Sequence, residues 1–114
     1  MDFKEYLIEA NIDAFKTKWK DQGLKVAITN STDSIILNKI IVPKDKRNEG
    51  TGTRFIKDLI RFAKKANKRI ELTPTNDFGG AKGRLVKFYK SFGFIDNKGK
   101  NKNYEINNTM YLEV

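Results

Sequence analysis

Apolar residues recur at Ile8, Ile12, Phe15 and Trp19, with Phe3, Leu7 and Ala14 on the flank. Steps of three and four residues put such a stripe on one side of a helix, so the pattern predicts a helix from Asp2 to about Asp21, stopped at Gly23. The period then changes to two. In "LKVAIT" Leu24, Val26 and Ile28 alternate with Lys25, Ala27 and Thr29, the mark of a half-buried strand. Turn formers follow in "NSTDS", and "IILNKIIV" is rich in β-branched residues, which together predict a hairpin. Pro43, without an N–H to donate, closes the second strand.

A second helical stripe follows at Phe55, Leu59, Phe62, Ala63 and Ala66, with Lys57, Arg61, Lys64 and Lys65 opposite it. The short strand "RIELT" ends at Pro74, and "PTNDFGGAKG" reads as a loop. A third helix carries Leu85, Phe88, Tyr89 and Phe92 and ends at Gly93; "FID", a polar loop "NKGKNKNYEINN" and a final strand "TMYLEV" complete the chain. The order helix-β-β-α-β-α-β-β predicts an α/β fold of the α+β type, with a mixed sheet flanked by helices. At 114 residues it is expected to form one domain, 1–114. The final strand reads as an exposed edge that permits a homodimer as readily as a monomer.

Composition narrows the chemistry. The chain has neither cysteine nor histidine, which excludes disulfides, thiolate nucleophiles, a Ser-His-Asp triad and the usual zinc ligands, and no metal is expected. Lysine and arginine outnumber acidic residues 23 to 14, a net charge of +9 that attracts polyanions. The N-terminus lacks a signal-peptide pattern, and no segment reaches the ~20 apolar residues of a membrane span, so a cytoplasmic protein with no membrane partner is expected.

The junction "VPKDKRNEGTGTRFIKDLI" is where chemistry concentrates. A strand that feeds a helix through a glycine-bearing turn presents unpaired N–H groups and the positive end of the helix dipole at one point, which suits phosphate. Gly50 and Gly52 would allow close approach to the main chain, and Arg47 would add charge-assisted bonds. Glu49 is unfavourable there unless it points outward. The same glycines could merely shape a turn, and the Walker pattern of ATPases is absent.

The stretch "IIVPKDKRNEGTGTRFIKDLIRFA" resembles the coenzyme A-binding signature of the GCN5-related N-acetyltransferases, in which a hydrophobic strand precedes an [RQ]-x-x-G-x-[GA] loop and a helix; Arg47, Gly50 and Gly52 occupy its defining positions. "LVKFYKSFGF" resembles a later motif of that family, with Tyr89 followed four residues on by Gly93 and Phe94. The resemblance runs from about Ile35 to Val114 and is nearest to small phage and prophage members. It implies acetyl-coenzyme A as cosubstrate, Ile40, Ile41 and Val42 pairing with the pantetheine arm, and Asn48, Glu49, Gly50, Thr51, Gly52 and Thr53 wrapping the pyrophosphate. Tyr89 becomes the proton donor to the departing thiolate. Glu71, in "RIELT", matches a glutamate of some protein N-terminal acetyltransferases and becomes a base acting through water, because the strand before the loop holds no acid.

The implied reaction is acetyl transfer to a primary amine, on a protein lysine or N-terminus or on another macromolecule. A cationic small acceptor would need local acid, which Asp33, Glu71 and Asp77 could provide. The alternative is a catalytically silent module of the same fold that binds nucleic acid through "KGKNKNY" and a Lys64, Lys65, Lys68 and Arg69 cluster.

Overall fold

The computed structural model describes residues 2–47, 49–74 and 82–114, with the side chain of Lys82 excepted. The elements follow the predicted order: α1 (Phe3–Lys20), β1 (Lys25–Asn30), β2 (Ser34–Ile41), α2 (Thr51–Ala66), β3 (Arg69–Leu72), α3 (Lys82–Lys90), β4 (Ile95–Asp96) and β5 (Met110–Leu112). Short 3-10 turns occupy Lys44–Lys46 and Gly99–Asn101. Most of "PTNDFGGAKG" lies outside the described residues, as do the predicted positions Asn48 and Asp77.

Local chemistry sets the helix ends. The Asp2 carboxylate accepts from the Glu5 N–H at 2.8 Å, and Asp21 closes α1 ahead of Gly23, whose φ of 91° suits a residue without a Cβ. Asn67 ends α2 in the left-handed conformation. Ile8, Ile12, Phe15 and Trp19 of α1 are buried as the stripe predicts. They meet α2 through Phe15–Phe55, Trp19–Phe55 and Phe15–Phe62 ring contacts at 5.4–5.6 Å. On α2 the buried residues are Phe55, Ile56, Leu59, Ala63 and Ala66, while Phe62 is only partly covered.

The sheet order is β1-β2-β3-β5-β4. β1 and β2 form the predicted antiparallel hairpin, β2 and β3 run parallel across α2, and β5 is antiparallel to both β3 and β4. Alternation places Ile35, Leu37, Ile70, Leu72 and Met110 in the core shared with the helices. The other face carries Ser34, Ile36, Arg69, Glu71 and Tyr111. The strand expected at an edge is interior: β5 is hydrogen-bonded on both sides, and the edges are β1 and β4. Burial of Met110 and Tyr111 on opposite faces fits a central strand and removes "TMYLEV" as a docking edge. No helix among the described residues is long and apolar enough to cross a membrane.

Candidate functional site

β2 departs from its parallel neighbour partway along. The β2–β3 ladder runs from Ser34–Arg69 to Leu37–Leu72 and ends there, while β2 continues to Ile41 paired with β1. The cause lies in the next residue. Ala27 pairs with Lys39 and Ile28 with Leu37, which leaves Asn38 as a bulge, its side-chain amide bonded to Thr29 Oγ1 at 2.6 Å. A bulge bends its strand and increases the local twist, so β2 swings away from β3 immediately after their last shared pair. Among the described residues no strand pairs with residues 38–41 on the side facing β3. Ile40 is buried and paired with Val26, Ile41 is paired with Lys25, and both lie on this segment.

The chain then makes the glycine turn. Pro43 ends the strand and caps the Lys44–Lys46 turn, which closes through Lys46 N–H to Pro43 C=O at 2.9 Å. Arg47 Nε donates to the Val42 carbonyl at 3.0 Å, so its guanidinium is anchored and the Val42 oxygen is already occupied. Lys46 is tied in the same way, its ammonium donating to the Gln22 carbonyl. Gly50 adopts φ 75°, ψ 14°, a left-handed position that explains a glycine there, and α2 starts at Thr51. The first intrahelical bond of α2 is Arg54 N–H to Gly50 C=O at 3.0 Å, so the amides of Thr51, Gly52 and Thr53 have no partner within the helix. Thr51 is buried, whereas Glu49 is exposed.

Arg54, which the sequence motif did not single out, completes the turn. Its Nη1 donates to the Glu49 carbonyl at 2.9 Å and its Nη2 to Thr51 Oγ1 at 3.1 Å. The first turn of α2 has no acidic residue and Gly50 no side-chain cap. Cations at a helix N-terminus oppose the dipole, and two arginines at one such end create a local demand for an anion. A base in the first turn, where acids are preferred, was the signal available in the sequence.

Glu71 is 4% exposed and lies on the sheet face opposite the apolar core. Its Oε2 accepts from Arg69 Nε at 3.0 Å and its Oε1 from Asn108 Nδ2 at 3.2 Å. It borders a groove of about 220 Å³ whose other acidic residues are Asp33 and Glu105. The pairing of Glu71 with Ile36 places it one residue pair before the point where β2 and β3 separate.

Tyr89 occupies the core side. It is 4% exposed, with its ring 5.5 Å from Phe88 and 5.7 Å from Phe94, and Gly93 turns the chain between them at φ 101°. The structure therefore assembles the β2 edge, Arg47, Gly50, Thr51, Gly52 and Thr53 along one continuous stretch, and sets Glu71 and Tyr89 on opposite faces of the sheet.

The basic cluster expected around residues 64–69 is not a free surface. Lys68 is 4% exposed, and its ammonium donates to Asn30 Oδ1 and the Ser31 carbonyl at 2.7 Å each and to Glu5 Oε2 at 3.2 Å. Arg69 is committed to Glu71. Only Lys64 and Lys65 of that group remain exposed. No family model, curated protein or solved structure matches the chain.

Proposed function

We propose that the chain is a small acetyl-coenzyme A-dependent N-acetyltransferase of the GCN5-related fold. The observation that carries this reading is the separation of β2 from β3 at Leu37–Leu72, which leaves a strand edge leading into the arginine-flanked glycine turn. The pantetheine arm of coenzyme A carries amides that can pair with such an edge as an added strand does. Its pyrophosphate suits the first amides of α2, those of the half-buried Gly52 and Thr53 foremost, with Arg47 and Arg54 supplying positive charge.

In the proposed reaction an uncharged amine attacks the thioester carbonyl, forming the N–C bond as the carbonyl electron pair moves onto oxygen. N–H groups of the β2 edge stabilise that oxyanion. Collapse of the tetrahedral intermediate breaks the C–S bond, and we assign the proton taken up by the thiolate to Tyr89. The amine's proton leaves through water to Glu71. The groove that Glu71 borders also holds Asp33 and Glu105 against one base, Arg69, so its lining is net negative in an otherwise basic chain, which favours an ammonium-bearing acceptor such as a lysine or a protein N-terminus.

The test is thermal unfolding with acetyl-coenzyme A. A hundredfold excess over Kd should stabilise by about 2.7 kcal/mol and raise Tm by about 10 °C. Gly50→Glu should abolish the shift. Because φ at Gly50 strains any side chain, Arg54→Ala provides a second variant, expected to need more ligand for the same shift. Tyr89→Phe should retain the ligand shift while losing acetylation of cellular proteins by mass spectrometry. No shift at millimolar acetyl-coenzyme A overturns the reading.

A further inference from the structure

The loop between β4 and β5 is held from within. Asn97, which is buried, donates through Nδ2 to the carbonyls of Ile106 and Asn108 at 3.1 and 3.0 Å and accepts from the Asn103 N–H at 2.7 Å. Tyr111 on β5 donates its hydroxyl to the Asn101 carbonyl at 2.6 Å. Ile106 turns inward and is 2% exposed, whereas Tyr104, two residues earlier, is 87% exposed. A tethered loop that buries one apolar side chain and holds a larger one out in water places that ring where a partner can cover it.

The surroundings of the ring define the partner's chemistry. Lys102 Nζ lies 5.6 Å from the Tyr104 ring centre. Lys98, Lys100 and Lys102 fall at alternate positions, and none of them pairs with a carboxylate among the described residues. A shallow concavity of about 580 Å³ runs between Tyr104 and Tyr111, with Lys100 and Lys102 on its wall against a single carboxylate, that of Glu105. An aromatic platform between unpaired ammonium groups matches a ligand that alternates flat apolar rings with anions. Bases in a duplex are already stacked on one another and cannot offer a free face.

We propose that this loop binds single-stranded nucleic acid, with one base stacked on Tyr104 and flanking phosphates held by Lys98, Lys100 and Lys102. The proposal is independent of the acetyl-transfer reading. Fluorescence polarisation of a labelled twelve-nucleotide oligo(dT), and of the same strand in duplex with oligo(dA), across a potassium chloride series tests it on the full chain. Tyr104→Ala should weaken single-strand binding about 5- to 150-fold, the usual range for losing one stacked base, while Tyr104→Phe stays within twofold of wild type. Each lysine changed to alanine should lower the slope of log affinity against log salt by about 0.7. The exposed position of Tyr104 should leave the melting temperature of either variant unchanged. Equal binding by wild type and Tyr104→Ala, tighter binding of the duplex, or displacement by polyglutamate that is indifferent to Tyr104 would each overturn it. The last outcome would mark an acidic protein as the partner.

Discussion

Lys68 joins three segments far apart in sequence, and replacing it with methionine isolates what its charge contributes. Its ammonium satisfies three acceptors, one in the first turn of α1 and two at the end of β1 and the hairpin turn, from a position at the start of β3. Methionine preserves most of the apolar stem and removes every donor. Breaking a buried ion pair by deleting one partner costs about 3–5 kcal/mol. The lower end applies because the Glu5 side chain is one-third exposed and Ser31 is exposed, so water can rehydrate both. An expected loss of about 3 kcal/mol corresponds to a fall of about 12 °C in Tm for a chain of this size.

Urea unfolding followed by Trp19 fluorescence provides the assay, since that indole is 3% exposed and lies in the α1–α2 contact. The midpoint should drop with the slope unchanged, showing a loss of stability without a change in the surface exposed on unfolding. Lys64→Met, at an exposed position, should stay within about 0.5 kcal/mol of wild type. A Lys68→Met loss below about 1 kcal/mol, or equal to that of Lys64→Met, would refute the argument that this lysine is a saturated internal tie.

Two further expectations concern pairings within the fold. Burial opposes ionisation of Asp58, but hydrogen bonds from Lys18 and Trp19 and the charges of Lys18 and Arg61 outweigh it, holding the carboxyl below the usual aspartate value. Its contribution is present above the unfolded-state value and disappears as pH falls through the lower folded value, so wild-type stability should decline below about pH 4, and Asp58→Asn should flatten that part of the profile in acid titrations of the urea midpoint. Asn97→Ala leaves two carbonyls and one N–H without partners and should cost about 3 kcal/mol, with limited proteolysis appearing first between Lys98 and Thr109; uncut loops at wild-type protease concentrations would argue against the tether.

Local pattern carried much of the fold. The stripes of α1 and α2, the hairpin and the glycine stops at 23 and 93 follow from period and backbone preference. Gly50 belongs to the same group, because a left-handed turn at a helix start favours glycine. What the sequence pattern misses is long-range. Lys68 reads as surface charge because its partners lie 37 or more positions away. The interior place of β5 depends on strand order, which periodicity does not encode. In the candidate site, Arg47 and the glycines were legible as a motif, while Arg54 gains its place only from the fold of the turn. Asn38 offered a partial clue as a poor strand former that, with Lys39, interrupts a run of hydrophobic residues.

The bulge at Asn38 also sets the parity of β2. Ile35 and Leu37 are buried, then Ile40 and Val42, with Asn38 and Lys39 both exposed between them. An unbroken alternation from Ile35 would instead have buried Lys39 and Ile41. One residue thus lets an odd step separate two apolar pairs while both meet the same core. Deleting Asn38 alone would therefore remove the bulge yet keep Lys39 outward and Ile40 inward, whereas deleting Asn38 together with Lys39 would act as a frameshift in three dimensions, turning Ile40 and Val42 outward and Ile41 inward.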